Sequence, residues 1–493
     1  MVLQHERPIR LFGGGSPGAP VRVSLAAGEW RATVDAAGAW NLDLPPVEVG
    51  GPYELKISSG SEEIVVRDVW FGEVWLIAGQ SNVIWPYGYV SSGEQARHRD
   101  FFLGTPARIW QMPERSAAEA HVPVARAPWL CPGNGPPASL PLLPSALATL
   151  LERGLGKPVG ILVSALGGSR ISSWLPTDVF PRDSLLSAYL NTYPADPEDY
   201  AAALQEWREA RDRFERYNGK CLEDSEPAIP ITKYLFWGPR GTRNLSYPGG
   251  AFEAMIRPLA RMALRGVVWY QGESDAEIAS GYGNRLRLMI EQWRSLWLKQ
   301  CEQLRLPFVV AQLPAYAAGP DSGNWPFLRE EQERAVSGTE DAYCVPTTDL
   351  GDPQDIHPAN KIVFALRLAP TLQALTRGEA PLHAPAISRV ILHAEARRPY
   401  LEIITGAPLQ HTAGNIQGFD ILDAGGDPLP VSAKFCDPRK LILELPVAPR
   451  VYRGLRYNFQ PVPKGRLYGL NGFPLRPFRN DHAAPPYRAN ALY

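Results

Sequence analysis

The sequence predicts an α/β fold, a parallel central sheet flanked by small β units at both ends of the chain. Three observations lead there. Apolar runs at 74–78, 159–163, 267–270, 308–313 and 342–345 are short and unbroken, as in strands buried on both faces. Helical spacing appears between and after them. It is seen at 145–155, at 284–300, where Leu286, Ile290, Trp293 and Trp297 share a face, and at 359–376, where Pro370 predicts a kink. Outside this region the period drops to two. Alternating segments stand at 21–25, 30–34, 40–44 and 53–57, then again at 388–393, 400–404, 419–422 and 441–445.

The 493 residues exceed one small domain. The changes of period divide them into a β unit over 1–70, an α/β unit over 71–378 and a second β unit over 379–493. Residues 183–248 interrupt the strand–helix rhythm as an insertion expected over the sheet edge or the active face. Within it, 201–217 is helical and strongly charged, and 219–250 is rich in Pro, Gly and Asn. The polar, Pro-rich tail 476–493 is expected to pack on the surface.

Charge is balanced, with 50 basic and 51 acidic residues, so nothing points to a nucleic-acid or polyanion partner. The 49 prolines are about twice the usual share and imply many turns and ordered loops. The five cysteines are widely spaced and odd in number, which reads as free thiols and favours a reducing compartment. The first ten residues hold no apolar leader stretch, and no run reaches the roughly 18 apolar residues of a membrane span. A soluble protein is expected, cytoplasmic if Met1 is the native start and otherwise periplasmic or secreted, with no membrane partner. Oligomeric state stays open.

Four apolar runs lead directly into polar, Gly-containing segments. These are Gly79-Gln80-Ser81-Asn82, Gly167-Gly168-Ser169, Gln271-Gly272-Glu273-Ser274 and the stretch from Asp349 to Pro358. In an open α/β sheet the carboxyl ends of the strands meet at one crevice, so these segments are expected to share a site. Ser81, after a strand and a glycine, is a candidate nucleophile; a helix-capping serine is the alternative. His357 follows Asp355 by two residues. In extended chain both side chains point the same way, so the carboxylate can hold the ring Nδ1–H while Nε2 serves as base; a plain turn is the alternative. The amides of Ser81 and Gly168 and the side chain of Gln271 could donate to an oxyanion, each such donor being worth about 3–4 kcal/mol of barrier. A simple turn at Gly167-Gly168 and a satisfied polar group at Gln271 are the alternatives. Glu273 is a rival acid or a sugar ligand. Asp349, Asp352 and Asp355 lack the spacing of a calcium loop, so no metal and no cofactor are expected. Trp85, Trp174, Trp269 and Tyr270 flank these segments. Trp85 and Trp174 lie beyond the strands and are the better candidates to stack on a sugar ring.

Together these segments resemble the sialate O-acetylesterase family, a carbohydrate-esterase branch of the SGNH hydrolases. The matching stretches run from Gly72 through Val74-Trp75-Leu76-Ile77-Ala78 to Asn82, over Leu166-Gly167-Gly168-Ser169 with Trp174, over Trp269-Tyr270-Gln271-Gly272-Glu273-Ser274, and over Asp355-Ile356-His357-Pro358-Ala359-Asn360-Lys361. Gly51-Pro52-Tyr53 and the closing stretch from Leu467 to Arg479 match as well, so the likeness spans nearly the whole chain. It implies an SGNH-type three-layer sandwich with accessory β domains, a Ser81–His357–Asp355 triad, an oxyanion hole from Ser81, Gly168 and Gln271, and removal of O-acetyl groups from sugars in the manner of a sialate 9-O-acetylesterase. The chain departs from the pattern at Val83-Ile84, where the family has Met-Glu, at Arg170-Ile171-Ser172, where it has Pro-Ile-Glu, and at Asp275, where it has Asn. All three departures lie where sugar would be contacted. Asn82, Trp85, Arg170, Trp174 and Glu273 are therefore the candidate substrate contacts, Arg170 facing either a substrate carboxylate or solvent. Deacetylation of xylan or xylo-oligosaccharides is the rival activity, and a carbohydrate-binding protein on an inactive esterase scaffold the rival class. The presence of Ser81, Asp355 and His357 argues against the latter.

Overall fold

A computed structural model describes residues 1–26, 28–125, 127–193, 200–223, 237–446 and 452–483. Six parallel strands form the centre. Their spatial order is Ala342–Val345, Phe308–Ala311, Gly266–Tyr270, Glu62–Gly79, Val159–Ala165 and Arg108–Gln111. Val159–Ala165, Gly266–Tyr270 and Phe308–Ala311 are buried at every position, which is why their sequences show no alternation. The strand at 308–313 ends early, at Ala311. Arg108–Gln111 escaped the sequence reading because an edge strand of four residues with polar ends carries little pattern.

The strand Glu62–Gly79 belongs to two environments. Its first half pairs antiparallel with Gly50–Ser59, which continues to Pro20–Leu25 and Gly28–Thr33. Its last seven residues, 73–79, enter the parallel sheet beside Val159–Ala165. Val2–Gln4 pairs with it at Trp70–Gly72. Chain therefore passes without a break through residue 70, and what changes there is burial, from mostly exposed to fully buried. The remaining N-terminal ribbon joins Ile9–Gly14 to Ala39–Leu44.

Leu142–Leu155 packs on Lys361–Arg377, and Tyr282–Cys301 packs on Trp325–Ser337. Lys361–Arg377 continues unbroken across Pro370. Leu366, whose carbonyl loses its partner there, is exposed, so water can take that bond. Trp325–Ser337 was not anticipated, although Pro326 in its first turn is a helix-start signal. In the insertion, the charged segment is the helix Tyr200–Glu223. Residues 194–199 and 224–236 lie outside the described residues. The end of the insertion packs on the segment that follows the Gly167-Gly168 turn, where Ser173 Oγ donates to Ser246 O at 3.3 Å.

The C-terminal unit is a seven-stranded antiparallel sheet. Tyr400–Thr405 alternates in burial, with Leu401 and Ile403 inward against Leu441 and Leu443. Pro428–Asp437, Gly454–Tyr457 and Phe478–Arg479 extend it beyond the expected strands, and the end of the tail, 484–493, lies outside the described residues. Arg329 fastens this unit to the central sheet. Fully buried, it donates to the carbonyls of Leu313 (2.8 Å), Pro314 (2.5 Å), Gln460 (2.9 Å) and Pro461 (2.9 Å). Burial with no carboxylate partner brings its guanidinium down to about 9. Arg329→Ala strands four acceptors, those of Leu313 and Pro314 fully buried, and is expected to cost about 2–3 kcal/mol. A urea midpoint lowered accordingly checks it; an unchanged midpoint contradicts it.

Among the described residues, no helix is long and apolar enough to cross a membrane. Among the described residues, Cys131, Cys301, Cys344 and Cys436 form no disulfide.

Candidate active site

The four polar segments do meet at the carboxyl ends of the parallel strands. Strand Glu62–Gly79 stops at Gly79, which has φ +146° and whose added Cβ would sit 1.9 Å from Tyr270 O. Only glycine lets the chain turn so close to the neighbouring strand. The turn opens the short helix Ser81–Ile84, with Gln80 at the cap position and no side-chain cap bond. Ser81 is thus not a capping serine. Its Oγ lies 2.8 Å from His357 Nε2, a contact across 276 residues of sequence.

His357 is half-buried in the loop that follows Ala342–Val345. Trp85 stacks on its ring, with centroids 4.2 Å apart and planes at 12°. Burial and the nearby Lys361 ammonium lower the imidazole pKa, and Asp355 opposes them. The Asp355 carboxylate, however, accepts the His357 backbone N–H at 2.8 Å, so in this conformation it braces the loop instead of holding the ring nitrogen. The expectation of a carboxylate on Nδ1 is corrected to that extent. Asp349 is held by Arg367 (2.7 Å) and Asp352 caps the amides of Gln354 and Asp355.

On the other side, Gly167 lies against Ser81, its added Cβ only 3.7 Å from the serine Cβ. Gly168 has φ +71°, a turn that favours glycine. Gln271, expected to present its amide to an oxyanion, is fully buried. Its Nε2 donates to Ser169 O (3.0 Å) and Asp275 Oδ2 (2.7 Å), and its Oε1 accepts from Tyr282 (2.8 Å). Both amide hydrogens are committed, so that role is corrected to one of joining two strand ends. Asp275 completes the joint by accepting the Ile171 N–H at 2.8 Å.

Four expected sugar contacts also turn inward. Trp174 is fully buried against Trp269 and Trp293, with its indole N–H on Ser169 Oγ at 2.9 Å. Arg170 pairs with Glu277 and covers the Tyr189 ring. Asn82 is buried, donating to Glu273 Oε1 (2.6 Å) and Ile356 O (3.0 Å) and accepting from Lys361 Nζ (2.5 Å). Glu273 therefore meets Asn82 and not the imidazole, and burial pushes its carboxyl up to about 7. Trp85 alone of these candidates faces the Ser81–His357 pair while partly accessible, with the exposed Tyr89 edge-on beside it at 5.3 Å. The sequence reading missed Tyr89 and gave Lys361 no role. A lysine opening an apolar helix was the signal for the latter.

Residues 240–369, which include Gln271, Glu273, Asp355 and His357, match the family model described as carbohydrate esterase, sialic acid-specific acetylesterase. The mouse sialate O-acetylesterase is 27% identical over 414 residues, covering 78% of this chain and 73% of the relative. The human protein of that name is 26% identical over 414 residues, covering 78% and 70%. A carbohydrate acetylesterase from Xanthomonas citri superposes with a TM-score of 0.76 at 26% identity, covering 97% of both chains. The serine–histidine pair at converging strand ends thus lies in a chain that is similar, over most of its length, to sialate O-acetylesterases and to a carbohydrate acetylesterase.

Proposed function

We propose that the chain is a serine-dependent carbohydrate O-acetylesterase, a reading carried by the 2.8 Å contact between Ser81 Oγ and His357 Nε2. Neutral imidazole takes the hydroxyl proton as Oγ attacks the acetyl carbonyl. The tetrahedral intermediate collapses, the imidazolium gives its proton to the departing sugar oxygen, and an acetyl-enzyme remains. Water, activated by the same ring, releases acetate and restores Ser81. The backbone amides of Ser81 and Gly168 are the donors we assign to the oxyanion. Asp355 contributes its charge, which favours the imidazolium, and its brace on the loop backbone. Trp85, stacked on the ring within cation–π distance, steadies the same charge.

We read the architecture as an SGNH-type sandwich with accessory β domains. The six parallel strands and the two packed helix pairs support it, and three separate buried clusters support the division at about 70 and 378. Trp85 and Tyr89 offer aromatic faces to a sugar ring beside the serine. Acetate release from O-acetylated sialic acids and acetylated xylo-oligosaccharides, compared by kcat/KM, tests the substrate class. Turnover of at least one acetylated sugar well above that of 4-nitrophenyl acetate is expected. Hydrolysis of simple esters with no acetate from any acetylated sugar would contradict the reading.

A further inference from the structure

Behind Ser81 and His357 lies a buried polar chain that the reaction scheme does not use. Lys361 Nζ donates to Asn82 Oδ1 at 2.5 Å. Asn82 Nδ2 donates to Glu273 Oε1 at 2.6 Å and to Ile356 O at 3.0 Å. All three side chains are buried, and Glu273 Oε2 has no hydrogen-bond partner. The chain joins three elements. Asn82 follows the nucleophile, Ile356 precedes the base, and Glu273 opens the short helix that follows the strand Gly266–Tyr270.

A lysine ammonium and a glutamate carboxylate, buried on either side of one amide, are costly to place there unless they serve each other. Desolvation brings both toward about 7 from opposite directions, so the lysine is still cationic in the range where an imidazole titrates. The groups facing His357 are the Ser81 hydroxyl, the Trp85 ring, Asp355 and Lys361, with Tyr316 beside Asp355 and Glu273 beyond Asn82. Of these, Lys361 alone adds positive charge near the ring.

We propose that Lys361 is a positioning residue: through Asn82 it locks the serine turn against the histidine loop, and its buried ammonium opposes a second positive charge on the resting His357 ring. The base is thereby kept neutral, and ready, in more acidic solution than it would otherwise be. The inference rests on the reading of His357 as the base.

The test follows the His357 ring nitrogens by NMR across pH in the full chain, with His357→Gln identifying the signal among the eight histidines. Lys361→Met is expected to raise the titration midpoint, and Lys361→Arg to leave it near wild type. The acid limb of kcat/KM for 4-nitrophenyl acetate should move with it. At about pH 5.5 the neutral variant should fall roughly three- to tenfold further below its own plateau than wild type does. A folded Lys361→Met with a wild-type midpoint would overturn the proposal. If that variant does not fold, Lys361→Gln keeps an amide donor for Asn82 without the charge, and an unmoved midpoint there overturns it equally. A merely structural lysine would change stability and leave the titration alone. Because the midpoint is read without turnover, it separates the two claims. A raised midpoint with an active Ser81→Ala supports the coupling and sinks the nucleophile.

Discussion

Ser81→Ala is expected to lower kcat for ester hydrolysis by about 10⁴-fold or more while leaving stability almost unchanged. Removing the nucleophile of a Ser–His pair leaves only binding and oxyanion donors to act on the ester. The hydroxyl makes its contact with His357 and caps no helix, so little folding energy goes with it. Steady-state hydrolysis of 4-nitrophenyl acetate, with a thermal melt of the same sample, checks both halves. A variant that keeps a tenth of wild-type activity would place the nucleophile elsewhere.

The largest effect on stability is expected far from the site, at Glu73. This carboxylate is fully buried where Glu62–Gly79 enters the parallel sheet. It receives His5 Nε2 (2.7 Å), Arg265 Nε (2.6 Å), Gln4 Nε2 (3.2 Å) and Lys157 Nζ (3.3 Å), so one side chain ties the N-terminal strand to both neighbouring connections. Burial by itself would raise its pKa, but the bonds from His5 and Arg265 outweigh it and hold the carboxyl at about 2. Glu73→Ala removes the anion and leaves its cations facing one another, at a cost of about 3–5 kcal/mol. Since the folded pKa is depressed, the contribution is present above the unfolded value of 4.5 and is lost as pH falls from there through about 2. Urea unfolding of wild type and Glu73→Gln should therefore converge on acidification. Parallel pH profiles would contradict the assignment.

The strands of the central sheet were readable because burial on both faces leaves an unbroken apolar run, as at Val159–Ala165. Convergence of their polar ends followed from the sheet topology alone, and so did the meeting of Ser81 and His357. What one sequence does not carry is the side to which a loop residue turns. Trp85 and Trp174 both follow strands, yet one stacks on His357 and the other fills the core between Trp269 and Trp293. Gln271 and Asn82 are polar and lie near Ser81 and the His357 loop, but their hydrogen bonds are taken by the segments that follow neighbouring strands. Such saturation depends mostly on distant partners, Ser169 for Gln271 and Glu273 and Ile356 for Asn82, with Asp275 alone close in sequence. The change of period near residue 70 marked a change of surroundings within one strand, which sequence periodicity cannot distinguish from a strand's end.

The proposed reaction passes an acetyl group through Ser81 Oγ. Rapid-quench peptide mapping of wild type with 4-nitrophenyl acetate should find the acetyl adduct on the peptide that contains Ser81 and none on the Ser81→Ala protein. An adduct on another residue, or an equal adduct in the alanine variant, would contradict it.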